Sequence, residues 1–168
     1  MAERRIVTYG DPVLREVSEP IEKIDQEIKD LVSDMADTLE KAKGLGLSAV
    51  QIGVLKRLFI VDLSAVDITE TLRVFINPEI IATEGEQEME EGCLSFPGIY
   101  QKLDRPAKVK VRATDLDGNE FELEAKGLAA RAVLHEYDHL QGVLFIDHMS
   151  PLTRTLLKGR LRKLKTAS

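Results

Sequence analysis

Two histidines four residues apart, with a glutamate beside the first, restrict this chain more than any other feature: Leu134-His135-Glu136-Tyr137-Asp138-His139-Leu140. On a helix, His135 and His139 leave one face a single turn apart, as two ligands of one metal ion must. Glu136 is offset from that face yet within reach of a water at the metal. The arrangement therefore offers two imidazole donors and a carboxylate that handles protons. The chain contains only 3 histidines, so an accidental pairing of two of them at this spacing around a glutamate is a poor alternative. The helix that carries them is predicted from Gly127 to Gln141, ended by Gly142.

The rest of the chain must wrap that helix. A length of 168 residues with 43% hydrophobic and 31% charged side chains suits one domain, residues 1–168, with its own core. Ile6-Val7-Thr8-Tyr9 reads as a short strand or extended arm, broken at Gly10-Asp11-Pro12. Between Asp25 and Lys43 the residues Ile28, Leu31, Val32, Met35 and Leu39 recur at helical spacing. Asp25 is the expected N-cap, and Gly44 the glycine just past the end. Leu58–Leu63 and Val74–Pro78 read as buried strands. Val109, Val111 and Ala113 alternate with basic residues, and Phe121, Leu123 and Ala125 alternate with acids across the turn Asp117-Gly118-Asn119. This is a hairpin with one wet face and lysines opposite glutamates. Glu84 to Glu91 has the composition of a solvated loop. Leu156 to Leu164 forms a last, basic helix.

Charge is uneven. The chain carries a net −6, yet residues 151–168 hold Arg154, Lys158, Arg160, Arg162, Lys163 and Lys165 and no acid. The body is thus strongly acidic and repelled by nucleic acid, whereas the tail is drawn to it. One cysteine excludes an internal disulfide and fits a reducing compartment. The first residues lack the apolar run of a signal peptide, and no run approaches transmembrane length. A cytoplasmic protein without a membrane partner is expected.

A catalytic metal needs a third protein ligand and an open position. A third histidine six residues after His139 is ruled out, because Phe145 stands there, and no glutamate follows Glu136. These absences weaken a metalloprotease reading. His148, Asp147 and the upstream Cys93 remain as candidates. Gly44-Leu45-Gly46-Leu47-Ser48-Ala49-Val50-Gln51-Ile52-Gly53 has no lysine in the position a phosphate loop needs. It reads instead as a segment whose backbone is approached closely. Gln51 is its strong polar side chain, either bonding nearby backbone or acting chemically.

Three blocks, Gly44 to Gly53, Glu91-Gly92-Cys93-Leu94-Ser95 and His135 to His139, resemble in order the signature motifs of the peptide deformylases. The likeness extends from Tyr9-Gly10-Asp11-Pro12 to Leu144-Phe145-Ile146-Asp147. Two positions depart from the family's usual pattern: Ser48, where alanine is more common, and Leu134, where glutamine usually stands. Both are expected to adjust packing rather than abolish activity.

The resemblance implies an α+β fold, with antiparallel sheets packed around the central histidine-bearing helix and a C-terminal helix. It implies Cys93, His135 and His139 as metal ligands and Glu136 as general acid/base. Gln51 and the backbone N–H of Leu94 would form the oxyanion hole. One divalent ion per chain is expected, ferrous iron in the cell, with Zn²⁺, Ni²⁺ or Co²⁺ able to substitute. The implied reaction is hydrolysis of the formyl group from N-formylmethionine of nascent peptides. The peptide would lie extended near Leu45, Gly46 and Gly92, glycines leaving room for it. Its methionine would enter a pocket lined by Leu45, Met89, Leu128, Arg131 and Ala132, with Arg131 at the rim and its head in water. The basic tail, residues 152–165, is expected to dock on ribosomal RNA. A paralogue acting on another amide and a structural-zinc module are the rival readings. The zinc module is weakened by having three converging ligands rather than four.

Overall fold

A computed structural model describes residues 2–65 and 71–167. Helix α1 spans Gln26–Ala42, and the Asp25 carboxylate accepts the Ile28 N–H at 3.2 Å as N-cap. Its apolar stripe is buried, as the spacing predicts. The left-handed residue at its end is Lys43, with φ 57°, rather than Gly44. Gly44 answers a different need: a Cβ there would stand 2.7 Å from Leu94 Cδ1.

Among the described residues seven strands follow in chain order: β1 Gly46–Ser48, β2 Leu58–Asp62, β3 Leu72–Glu84, β4 Gln87–Gly92, β5 Tyr100–Arg105, β6 Lys108–Thr114 and β7 Glu120–Lys126. Five form an antiparallel sheet in the order β1-β2-β3-β6-β7, while β4 and β5 pair as a separate hairpin. The predicted hairpin is β6 and β7, with Lys110 opposite Glu124 and Arg112 opposite Glu122. Most of the acidic run is strand rather than loop: Glu84 ends β3, Gly85 and Glu86 connect, and Gln87 opens β4. Glu84, Glu86, Glu88 and Glu90 are exposed on one parity, while Gln87, Met89 and Glu91 turn inward on the other.

Helix α2, Gly127–Leu140, lies at the centre. Strand β2 is buried on both faces. Its Phe59 and Val61 pack with Ala130, Val133 and Leu134 of α2, and its Leu58 and Ile60 pack with Leu31 and Met35 of α1. Leu134 is therefore a core residue. Helix α3, Pro151–Ala167, is longer than the predicted Leu156 to Leu164. It buries Leu157 and Leu161 against Phe96, Ile99 and Phe145. Ile6 to Tyr9 is an extended arm, not a strand. The Val7 N–H donates to the Gln51 carbonyl and the Tyr9 N–H to the Ser95 carbonyl, both at 2.8 Å, tying two candidate site segments together.

Candidate metal centre

The α2 helix places His135 and His139 with ring centroids 5.0 Å apart. Strand β4 ends at Gly92, and the loop that joins it to β5 delivers Cys93 to the same spot. Cys93 Sγ stands 3.4 Å from His139 Nε2. One ligand atom from each of Cys93, His135 and His139 lies within 4.8 Å of the other two. The other two candidates go elsewhere. Asp147 takes both guanidinium nitrogens of Arg15 at 2.6 and 3.0 Å. His148 is partly exposed, with Nε2 2.8 Å from Asp138 Oδ2.

Below His135 sits Glu91, which sequence reasoning did not single out. Its carboxylate receives Arg105 Nε and Nη2 at 2.7 Å each and Arg131 Nη1 at 2.9 Å. His135 Nδ1 lies 2.6 Å away. Burial works to raise the Glu91 pKa, but the hydrogen bonds from Arg105 and His135 prevail and hold it well below the carboxylate range. An ionised carboxylate only accepts, so His135 donates through Nδ1, which leaves Nε2 as the ring nitrogen available to a metal. The signal was present in the sequence. Glu91 shares the parity of Met89, not that of the exposed acids before it.

Arg131 requires a correction. Its head is not in water at a rim: the residue is 3% exposed. It bonds Glu91 and donates to the carbonyls of Gln87 and Leu103 at 2.6 and 2.9 Å. A buried carboxylate within reach outcompetes solvent for a guanidinium whose stem already lies in the core.

Above the donors opens a cavity of about 370 Å³. Leu45, Gly46, Gly92, Leu128, Arg131 and Ala132 all line it, together with Cys93, Leu94, His135 and Glu136. Met89 does not. The glycines also meet a need inside the fold. A Cβ on Gly46 would meet Glu136 Cγ at 2.9 Å, and one on Gly92 would meet Tyr100 Cε1 at 2.5 Å. The chain's own side chains occupy that space.

Glu136 is 4% exposed, and its Oε1 has no hydrogen-bond partner. Burial is the main cause that pushes its pKa up to about 7. Gln51 is 1% exposed. Its Oε1 accepts the Ser48 backbone N–H at 3.0 Å, and its Nε2 points toward Cys93 Sγ at 3.7 Å. It therefore bonds backbone and faces the centre at once. The Leu94 N–H, just past Cys93, donates to no protein group among the described residues.

The donor set fits a divalent ion. One thiol and two imidazoles converge, one ring oriented by a carboxylate from behind, and a buried carboxylate oxygen stands unpartnered beside them. A scaffold of this kind belongs to the metal-dependent hydrolases.

Comparison with known proteins narrows the class. The polypeptide deformylase family model matches residues 3–155. A peptide deformylase of Acidobacterium capsulatum is 49% identical over 164 residues, covering 98% of this chain and 96% of its own. One from Clostridium botulinum is 54% identical over 147 residues, 88% of this chain and 97% of its own. The crystal structure of a peptide deformylase from Legionella pneumophila superposes with a TM-score of 0.90 at 43% identity, covering 99% of this chain and 97% of that one. The chain belongs to the peptide deformylase family.

Proposed function

We propose that this chain removes the N-formyl group from N-formylmethionine of newly synthesised polypeptides, releasing formate. The observation that carries this reading is the meeting of Cys93, His135 and His139 beside a buried, unpartnered Glu136 at an open cavity.

Cys93, His135 and His139 would hold a divalent ion, which would supply Lewis acidity and lower the pKa of water at neutral pH. Glu136 takes the proton of the water that attacks the formyl carbon, then gives it to the departing amine nitrogen. A carboxyl poised at about 7 suits both halves of that exchange. Gln51 Nε2–H and the Leu94 N–H donate to the former carbonyl oxygen as it gains charge. Leu45, Leu128 and Ala132 receive the methionine side chain. Arg131 leaves that pocket uncharged in effect, because Glu91 neutralises it. One thiolate with two imidazoles suits iron, zinc, nickel and cobalt. Ferrous iron is the assignment carried over from the family resemblance, and metal analysis of anaerobically purified protein decides it.

Helix α3 is proposed as the ribosome-docking element. Arg154, Lys158, Arg162 and Lys163 stand exposed on it beside Leu152 and Leu156, which are 70% and 74% exposed. Reversing those four charges should weaken ribosome binding, most strongly at low salt, and spare hydrolysis of short peptides. Truncation is a poorer test, because it strips Leu157 and Leu161 from the core. Among the described residues no helix is long and apolar enough to cross a membrane.

The activity is tested by formate release from an N-formylmethionyl tripeptide. Stoichiometric formate and free methionyl peptide are expected. A metal-loaded, folded protein that turns over other amides but not this one would place it with a paralogue instead.

A further inference from the structure

We propose that the Ser48 hydroxyl is a positioning group for Gln51, holding its amide so that Nε2–H faces Cys93; the inference rests on the role proposed above for Gln51. The two ends of a glutamine amide are nearly the same size, so shape alone does not decide which one faces the centre. Hydrogen bonding decides it here. Oε1 accepts twice from Ser48, from the backbone N–H and from Oγ–H, each at 3.0 Å. At the other end Nε2 donates to Ser95 Oγ at 3.2 Å and approaches Cys93 Sγ at 3.7 Å. A flipped amide would set Nε2–H against the Ser48 N–H and turn Oε1 toward the sulfur, with like polarity facing at both ends.

Ser48, Gln51 and Ser95 are 0%, 1% and 0% exposed, so water does not replace a missing bond. Ser48 is itself held by the sheet, paired with Phe59 across β1 and β2. The hydroxyl thus links the amide to the β1–β2 ladder. Alanine at this position keeps the backbone bond but leaves one Oε1 lone pair unanswered, freeing the amide to twist about that single bond. Packing alone, expected for this residue from the sequence, does not describe it.

A double-mutant cycle tests the proposal. Ser48→Ala should lower kcat by about three- to tenfold with KM within about twofold, the loss of one net hydrogen bond. In a Gln51→Ala background the same substitution should change kcat by less than about twofold. A full Ser48→Ala effect persisting without Gln51, or no effect in its presence, overturns the inference. Near-normal turnover in Gln51→Ala alone would instead overturn the role given to Gln51. A second readout needs neither metal nor turnover. In the metal-free protein the Gln51 side-chain amide should give two sharp, dispersed proton resonances, which broaden or converge in Ser48→Ala. Identical resonances in the two proteins contradict the hydroxyl's role.

Discussion

The two sides of His135 are built on opposite rules. Beneath it, Glu91 accepts from Arg105, Arg131 and His135, and Arg105 reaches on to Asp138 at 2.9 Å. Beside it, Glu136 keeps a buried oxygen with no partner and a raised pKa. The lower region holds charge by pairing it, so its carboxylate stays ionised. The upper one holds a carboxyl that changes protonation with little prompting. Both groups are buried acids within one site; partners alone separate the paired carboxylate from the one proposed to carry protons.

Substitutions on the two sides should therefore fail in different ways. Glu136→Ala should lower kcat by about two to four orders of magnitude, the usual contribution of a general acid/base, while leaving the fold and bound metal intact. Steady-state formate release, metal content and circular dichroism together check this; loss of metal along with activity would place Glu136 with the paired carboxylate. Glu91→Ala should do the reverse. It leaves two guanidinium groups buried without their shared carboxylate, a loss of about 3–5 kcal/mol readable by urea denaturation. An unchanged unfolding midpoint would erase the distinction.

Gln51→Ala removes one proposed oxyanion donor and should lower kcat by about two to three orders of magnitude, near 2.7–4 kcal/mol. A change in KM alone would place Gln51 in substrate binding instead.

A pH dependence sharpens the contrast. The Glu136 pKa in the folded protein, about 7, lies above its ordinary 4.5. Its contribution to stability is therefore complete below the ordinary value and is lost as pH rises through the folded one. Glu136→Gln should stabilise the metal-free protein at pH 8 by about 1–3 kcal/mol and have little effect at pH 4. Equal effects at the two pH values would mean the carboxyl is not strained by burial. The smallest effect belongs far from both regions. Lys110→Ala breaks an exposed pair with Glu122 at 3.3 Å on the wet hairpin face and should change stability by less than about 1 kcal/mol.

Local pattern made much of this molecule legible. The four-residue spacing placed His135 and His139 on one helix face, and alternation drew the β6–β7 hairpin with its turn. Helix α1 was readable down to its Asp25 cap. What stayed hidden depended on partners distant in sequence. Spacing alone left Cys93 one candidate beside Asp147 and His148, because only the folding of the β4–β5 hairpin against α2 brings the sulfur to the rings. Arg131 was misplaced for the same reason: its carboxylate lies on another strand. Strand β4 was obscured by its acids, whose alternation carries the strand signal that composition masks. Gly46 and Gly92 were read as making room for a ligand; that the fold itself needs them bare, because Glu136 and Tyr100 stand where a Cβ would go, was not readable from sequence.

The central claim is that one thiolate and two imidazoles hold a single ion whose remaining position stays open to water. X-ray absorption on anaerobically purified protein measures that directly. One divalent ion per chain is expected, with one sulfur neighbour at about 2.3 Å, two imidazole nitrogens and a light, exchangeable oxygen. A spectrum without sulfur, or with a fourth protein donor closing the ion from solvent, would contradict it.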